Sequence, residues 1–190
     1  MERCSFERRK ANQLKKIDKS DKGHFDSRIK RLTKKINGKK EYYTTSSCAG
    51  RIVLIKELDK KQENLFLFRT HNKISFSELK KILKTLSKIK YKGMIYFKEE
   101  CCILHAACKT LRDAQNLLDK AKLAGWKKSG IIASKKRFVC ELASTESIAF
   151  PIMNKKRLLV PDSFLKTLAI EANKKLEKSW EKIQKLERII

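Results

Sequence analysis

The sequence predicts an α+β fold: a single two-layer domain with a mixed, largely antiparallel sheet, two interior helices, basic N-terminal helices and a long C-terminal helix. Three observations lead there. Apolar residues make up 41% of the 190, with only 6 Gly and 2 Pro, which suffices for one packed core. Apolar spacing passes from a period near 3.6 to short runs and back, without regular alternation of single strands and helices. No G-x-G or G-x-x-x-x-G-K pattern occurs, so the phosphate-binding turn of a Rossmann fold is absent.

Each element follows from its residues. Over 6–19, Phe6, Leu14 and Ile17 recur at helical spacing. Asp26 is placed to cap a short helix carrying Ile29, Leu32 and Ile36 on one face, and Gly38 to end it. These two helices make a basic arm over residues 1–40. An α+β core follows over 41–160, opening with strands at 42–45, 51–58 and 65–69 and a small-residue turn between the first two. Ser75-x-x-Glu78 is a capping box ahead of the stripe Leu79, Ile82, Leu83, Leu86 and Ile89. Strands are expected at 94–97 and 101–108. Thr110-x-x-Asp113 then opens a helix with Leu111, Ala114, Leu117, Leu118 and Ala121 inward and Gly125 beyond its end. Short strands are expected at 131–133, 138–143, 148–152 and 158–160. Pro161-Asp162 starts one long helix through 190, with Phe164, Leu165, Leu168, Ala172, Leu176, Trp180, Ile183, Leu186 and Ile190 near the 3.6 period. No linker composition divides the chain, so one domain over 1–190 is expected.

Charge narrows the partners. Against 47 Lys and Arg stand 21 Asp and Glu, a formal net charge of +26, which suits a polyanion such as nucleic acid. A lysine-rich surface composition is the bland alternative, but there Glu rises together with Lys, and here it does not. The first 40 residues hold 15 basic and 5 acidic side chains, making that arm the expected phosphate contact. No apolar run approaches a membrane span and Met1-Glu2-Arg3-Cys4 opens no signal peptide, so a soluble, cytoplasmic protein with no membrane partner is expected. The 6 cysteines show no Cys-x-x-Cys pair and no His at finger spacing. They read as reduced thiols, with no metal expected. A monomer is favoured.

Several segments carry candidate chemistry. Thr44-Thr45-Ser46-Ser47-Cys48-Ala49-Gly50-Arg51-Ile52 gathers hydroxyls, a thiol, Gly and a guanidinium between two apolar runs. It suits an anion or a ligand carboxylate, or else is an ordinary Ser/Gly connection with Arg51 solvated. Ser129-Gly130 and Ser144-Thr145 are two further small-residue turns. If the strands they end are neighbours, all three line one sheet edge. Cys48 beside Arg51 has the electropositive setting of a reactive thiol. His71 follows an aromatic strand and His105 lies within an apolar one, where a histidine is either a satisfied core residue or a base. Glu99-Glu100 is an acidic pair that either balances a cation or solvates a turn.

In order and spacing, these residues resemble the third wybutosine-synthesising protein family, tRNA methyltransferases of archaea and eukaryotes. The match runs through the segment from Thr44 to Ile52, Thr70-His71, Leu104-His105-x-x-Cys108-x-x-Leu111-x-Asp113-Ala114-Gln115, Gly125-Trp126-x-x-Ser129-Gly130-Ile131, Ser144-Thr145 and Ala172-Asn173. It covers nearly the whole chain. The resemblance implies methyl transfer from S-adenosylmethionine to N(4) of the tricyclic wyosine-type guanosine beside the anticodon of tRNA(Phe), on a non-Rossmann fold. It implies His105 or His71 as catalytic base. It implies Ser46, Ser47, Gly50, Arg51, Ser129, Gly130 and Ser144 as cofactor-binding residues, and Cys48, Glu100 and Trp126 toward the substrate base, with the Trp126 ring stacking on an adenine or the tricycle. The family pattern usually has Glu-Pro-Phe where this chain has Glu100-Cys101-Cys102, which bears on the role of Glu100. The charge alone equally fits a non-catalytic RNA-binding module, which would expose aromatics on a sheet face and need no small-molecule site.

Overall fold

A computed structural model describes residues 2–15, 26–57, 65–135 and 137–190. The elements among them are α1 (Glu2–Leu14), α2 (Ser27–Gly38), β1 (Tyr42–Cys48), β2 (Arg51–Lys56), β3 (Phe66–Thr70), α3 (Phe76–Leu86), β4 (Ile95–Glu100), β5 (Ile103–Cys108), α4 (Leu111–Leu123), β6 (Gly130–Ala133), β7 (Phe138–Ala143), β8 (Ser147–Asn154), β9 (Arg157–Leu158) and α5 (Asp162–Ile189). The α+β class, both interior helices, the basic N-terminal helices and the long C-terminal helix are as the sequence predicts. Ile17, expected in the first helix, and Leu58, expected in a strand, lie outside the described residues.

The described strands form two sheets rather than the expected one, and every pairing among them is antiparallel. The described residues gather into two compact units, each woven from separate stretches of chain. The first comprises Met1–Ala49, Cys102–Thr145 and Trp180–Ile190, and the second Gly50–Cys101 and Glu146–Ser179.

The first unit holds the sheet ordered β1-β5-β7-β6. On one face Leu104, Ala106, Cys108, Cys140 and Leu142 pack with Ile29, Leu32 and Ile36 of α2 and Ala114, Leu117 and Leu118 of α4. The α2 helix is therefore core, not an appended arm: its three apolar residues are at most 2% exposed. On the other face Phe6, Tyr43 and Ala107 form a small cluster, with the Phe6 and Tyr43 rings 5.3 Å apart. Asp26 flanks α2 without a side-chain cap; its carboxylate accepts instead from the Ala49 N–H at 2.7 Å.

Helix α4 shows how local rules place a distant side chain. The Thr110 hydroxyl accepts from the Asp113 N–H while the Asp113 carboxylate accepts from the Thr110 N–H, the expected capping box. At the far end Gly125 takes φ +91, a conformation that only glycine adopts without strain. Its N–H donates to the Lys122 carbonyl and the Trp126 N–H to that of Ala121, the two bonds of a Schellman stop. This closure turns Trp126 into the core.

The second unit holds the sheet ordered β3-β2-β4-β8-β9. Ile52, Leu54, Ile95, Phe97, Ile152 and Met153 are buried strand residues, and Leu79, Leu83, Leu165, Leu168, Ala172 and Leu176 are buried on α3 and α5. Phe164 of α5 meets Phe150 of β8 edge to face at 5.4 Å. Ser75 and Glu78 form the expected capping box at the start of α3. Among the described residues no helix is long and apolar enough to cross a membrane.

Candidate functional site

In the first unit, β1 continues through Thr44, Ser46 and Cys48, so the hydroxyl-rich segment is strand and not the expected turn. Pairing with β5 supplies the ladder bonds that override the turn preference of Ser. A register shift between Thr44 and Ser46 inserts one residue, moving from the pair Thr44–Ala106 to the pair Ser46–His105. The bulge re-aims Ser46 onto the outer face of the sheet. Ser47, the next residue, is in register with Leu104 and belongs to the opposite face.

Ser46 thereby begins a row across all four strands: Ser46 of β1 opposite His105 of β5, His105 opposite Glu141 of β7, and Glu141 opposite Gly130 of β6. The Ser46 Oγ lies 2.8 Å from His105 Nδ1, and His105 Nε2 lies 2.7 Å from Glu141 Oε2. A carboxylate only accepts, so Nε2 carries a proton toward Glu141. In the neutral ring Nδ1 is then the bare acceptor of the Ser46 hydroxyl proton. The His105 and Glu141 side chains are 29% and 37% exposed, which removes the satisfied-core reading of His105. A Cβ built on Gly130 would meet nothing within 4 Å, so space is open at the far end of the row. This arrangement can accept a proton at Nδ1, directly or through the Ser46 hydroxyl, with Glu141 stabilising the resulting imidazolium. The same connectivity would equally activate Ser46 as a nucleophile.

The other expected residues of this unit are placed differently. Trp126 is fully buried, in the cluster with Leu117 and Ile183, and its indole N–H donates to the Lys182 carbonyl at 3.0 Å. Its faces are covered by core side chains, so it does not stack on a ligand. The Ser129 hydroxyl donates to the Trp126 carbonyl at 2.6 Å and accepts from the Ala143 N–H at 3.2 Å. Its proton is committed, and it pins the entry to β6 beside Gly130. Ser144 follows β7, is fully buried, and its Oγ has no hydrogen-bond partner among the described residues, leaving a hydroxyl able to serve a ligand. Cys48 is half-buried and in register with Ile103.

In the second unit Gly50 takes φ +102, and its carbonyl accepts from His71 Nδ1 at 3.0 Å. That bond orients the His71 ring with its Nδ1 toward the backbone. Arg51 opens β2 opposite Glu100 of β4, and Arg51 Nε lies 2.5 Å from Glu100 Oε2. Glu99 and Glu100 are thus strand residues on opposite faces rather than a solvated turn. Glu100 holds the guanidinium; Glu99 is 1% exposed, and neither of its carboxylate oxygens is hydrogen-bonded among the described residues. Burial lifts the Glu99 carboxyl to about 7, against the pull of Lys175 and with added repulsion from Glu146 and Glu100.

Reasoning from the sequence missed Glu141. The available signal was one acidic residue inside the apolar run Phe138–Ala143; what could not be read was the register that sets it opposite His105.

Comparison with known proteins identifies the chemistry. The model of the family described as Methyltransferase TYW3 matches residues 8–190. A Thermococcus sibiricus protein named tRNA(Phe) 7-((3-amino-3-carboxypropyl)-4-demethylwyosine(37)-N(4))-methyltransferase is 37% identical over 187 residues, covering 96% of this chain and 93% of that one. The tRNA wybutosine-synthesizing protein 3 homolog of Danio rerio is 35% identical over 191 residues, covering 97% of this chain and 74% of its own. A Pyrococcus horikoshii protein of solved structure superposes with a TM-score of 0.86 at 31% identity, covering 98% of this chain and 94% of that one.

Proposed function

Because the chain belongs to the TYW3 methyltransferase family, we propose that it transfers a methyl group from S-adenosylmethionine to N(4) of a 4-demethylwyosine-type base in tRNA(Phe), in the cytoplasm. The observation that carries the residue assignment is the hydrogen-bonded row Ser46–His105–Glu141. S-adenosylmethionine, when bound, supplies an electrophilic methyl group on a sulfonium sulfur. In the same unit as that row, Ser144 keeps a buried hydroxyl with no partner among the described residues, which suits a polar group of the donor.

The remaining chemistry belongs to the base nitrogen, which must lose its proton as it gains the methyl group. His105 accepts that proton at Nδ1, directly or through the Ser46 hydroxyl, whose own proton then moves to the ring. Glu141 holds the ring through Nε2 so that Nδ1 faces Ser46, and it balances the charge that the ring acquires. Positioning supplies the rest, since an in-line displacement needs nitrogen, carbon and sulfur collinear.

The test is single-turnover methylation of tRNA(Phe) bearing the 4-demethylwyosine derivative, using labelled methyl donor. His105→Asn should slow the step roughly 100-fold or more, the range for general base catalysis. Glu141→Gln should slow it less, because the amide oxygen still accepts from the ring while the counter-charge is lost. Wild-type single-turnover rates from a stably folded His105→Asn protein would remove the base assignment.

A further inference from the structure

Phe66 of β3 is a large apolar side chain left 43% exposed on the edge strand of the second unit's sheet. An isolated exposed Phe needs no explanation. This one does, because two guanidiniums approach the same ring: the Arg51 Cζ lies 5.1 Å from its centroid and the Arg69 Cζ 6.0 Å. Each is within cation–π range. Two cations sharing one ring repel each other, and among the described residues Glu100 pairs with Arg51 and no carboxylate pairs with Arg69. Arg69 is exposed, so the described side chains of the patch keep a net positive charge beside a half-exposed aromatic ring.

We propose that Phe66, with Arg51 and Arg69, is a stacking platform for an unpaired nucleotide of the RNA substrate. This rests on the reading of the chain as acting on tRNA. A nucleotide brings the two things the patch lacks, an aromatic face for Phe66 and a phosphate for Arg69. A base inside a duplex has both faces occupied, so the occupant is splayed out of its stack, as flanking nucleotides of a loop can be. The formal net charge of +26 selects a polyanion over the compact methyl donor as the source of that nucleotide. The platform reads no base edge, so it contributes affinity and register, not base identity.

The test uses an anticodon stem-loop RNA of tRNA(Phe) and the full chain. Phe66→Leu should weaken RNA binding roughly 5- to 150-fold, the range for losing one stacked base. The slope of log affinity against log salt should hold, because no phosphate contact is removed. Phe66→Trp should restore affinity, and RNA should quench the emission it adds to that of Trp126 and Trp180, read as the difference from the same titration of the unaltered chain. A Phe66→Leu protein that binds within twofold of wild type overturns the platform, as does a Phe66→Trp emission that saturating RNA leaves unchanged. Loss of S-adenosylmethionine binding in parallel with RNA binding would assign the ring to the donor's adenine instead and overturn it too. Were the unaltered chain itself to bind no RNA and methylate no tRNA(Phe), the substrate reading would fall, an outcome distinct from an effect confined to Phe66.

Discussion

Glu99 makes the stability of the second unit pH-dependent in a direction unusual for a carboxylate. The residue is 1% exposed, its strand neighbours in register are Ile52 and Ile148, and Glu146 and Glu100 add like charge against the pull of Lys175, so ionisation places a desolvated charge with no hydrogen bond among the described residues. In the unfolded chain the carboxyl has its ordinary value of 4.5, and in the fold burial raises it to about 7. Between those values the native state holds a proton that the unfolded chain has released, so unfolding becomes easier as pH rises. The gap is worth about 3 kcal/mol, at about 1.4 kcal/mol per pH unit, fully lost above about 7. Glu99→Gln replaces the titrating group with an amide whose burial costs the same at every pH. Urea unfolding followed by circular dichroism, repeated from pH 5 to 8, should show the variant gaining on the wild type progressively. The difference between the two curves isolates Glu99 from the histidines and from every other shared group. If the two stability curves run parallel across that range, Glu99 is not buried as a neutral acid and the reasoning fails.

Asn173 accepts from the Ile74 N–H at 2.9 Å and donates to the Ile74 carbonyl at 2.8 Å, closing the backbone before α3 as a strand partner would. Asn173→Ala leaves both groups of a 3%-exposed residue unpaired and should cost about 2–4 kcal/mol, read as a fall in the urea midpoint at constant slope. Deleting residues 1–40 would strip Ile29, Leu32 and Ile36 from the core, so the charge of α2 is better tested by substitution on its exposed face. If Arg31 and Lys34 each hold a phosphate, replacing both with Gln should flatten the slope of log affinity against log salt by roughly 0.9 per contact. An unaltered slope would take RNA contact off this face.

What the sequence made legible is what local chemistry determines. Both capping boxes, the stop at Gly125 and the long helix after Pro161 depend on residues within a turn or two of each other, and all formed where expected. The misreadings share the opposite character. Ser46 and Ser47 have turn chemistry, and only pairing with β5, about sixty residues away, makes them strand. Trp126 follows a glycine in a polar stretch, which suggests exposure; the Schellman closure that delivers it to the core is local, but the core that receives it includes Ile183, far along the chain.

The candidate site divides along the same line. His105 was visible as a lone polar residue in an apolar strand, but its two partners come from β1 and β7, and their register cannot be read from periodicity. A single extra residue decides it. With β1 in unbroken register, Thr45 would stand opposite His105 and Ser46 opposite Leu104, putting the serine hydroxyl on the other face. The bulge inserts Thr45, whose hydroxyl donates to the His105 carbonyl at 3.4 Å, and so places Ser46 in the row with the imidazole and Glu141. The irregularity in β1 is therefore the feature that places one serine hydroxyl of this strand at the end of the hydrogen-bonded row.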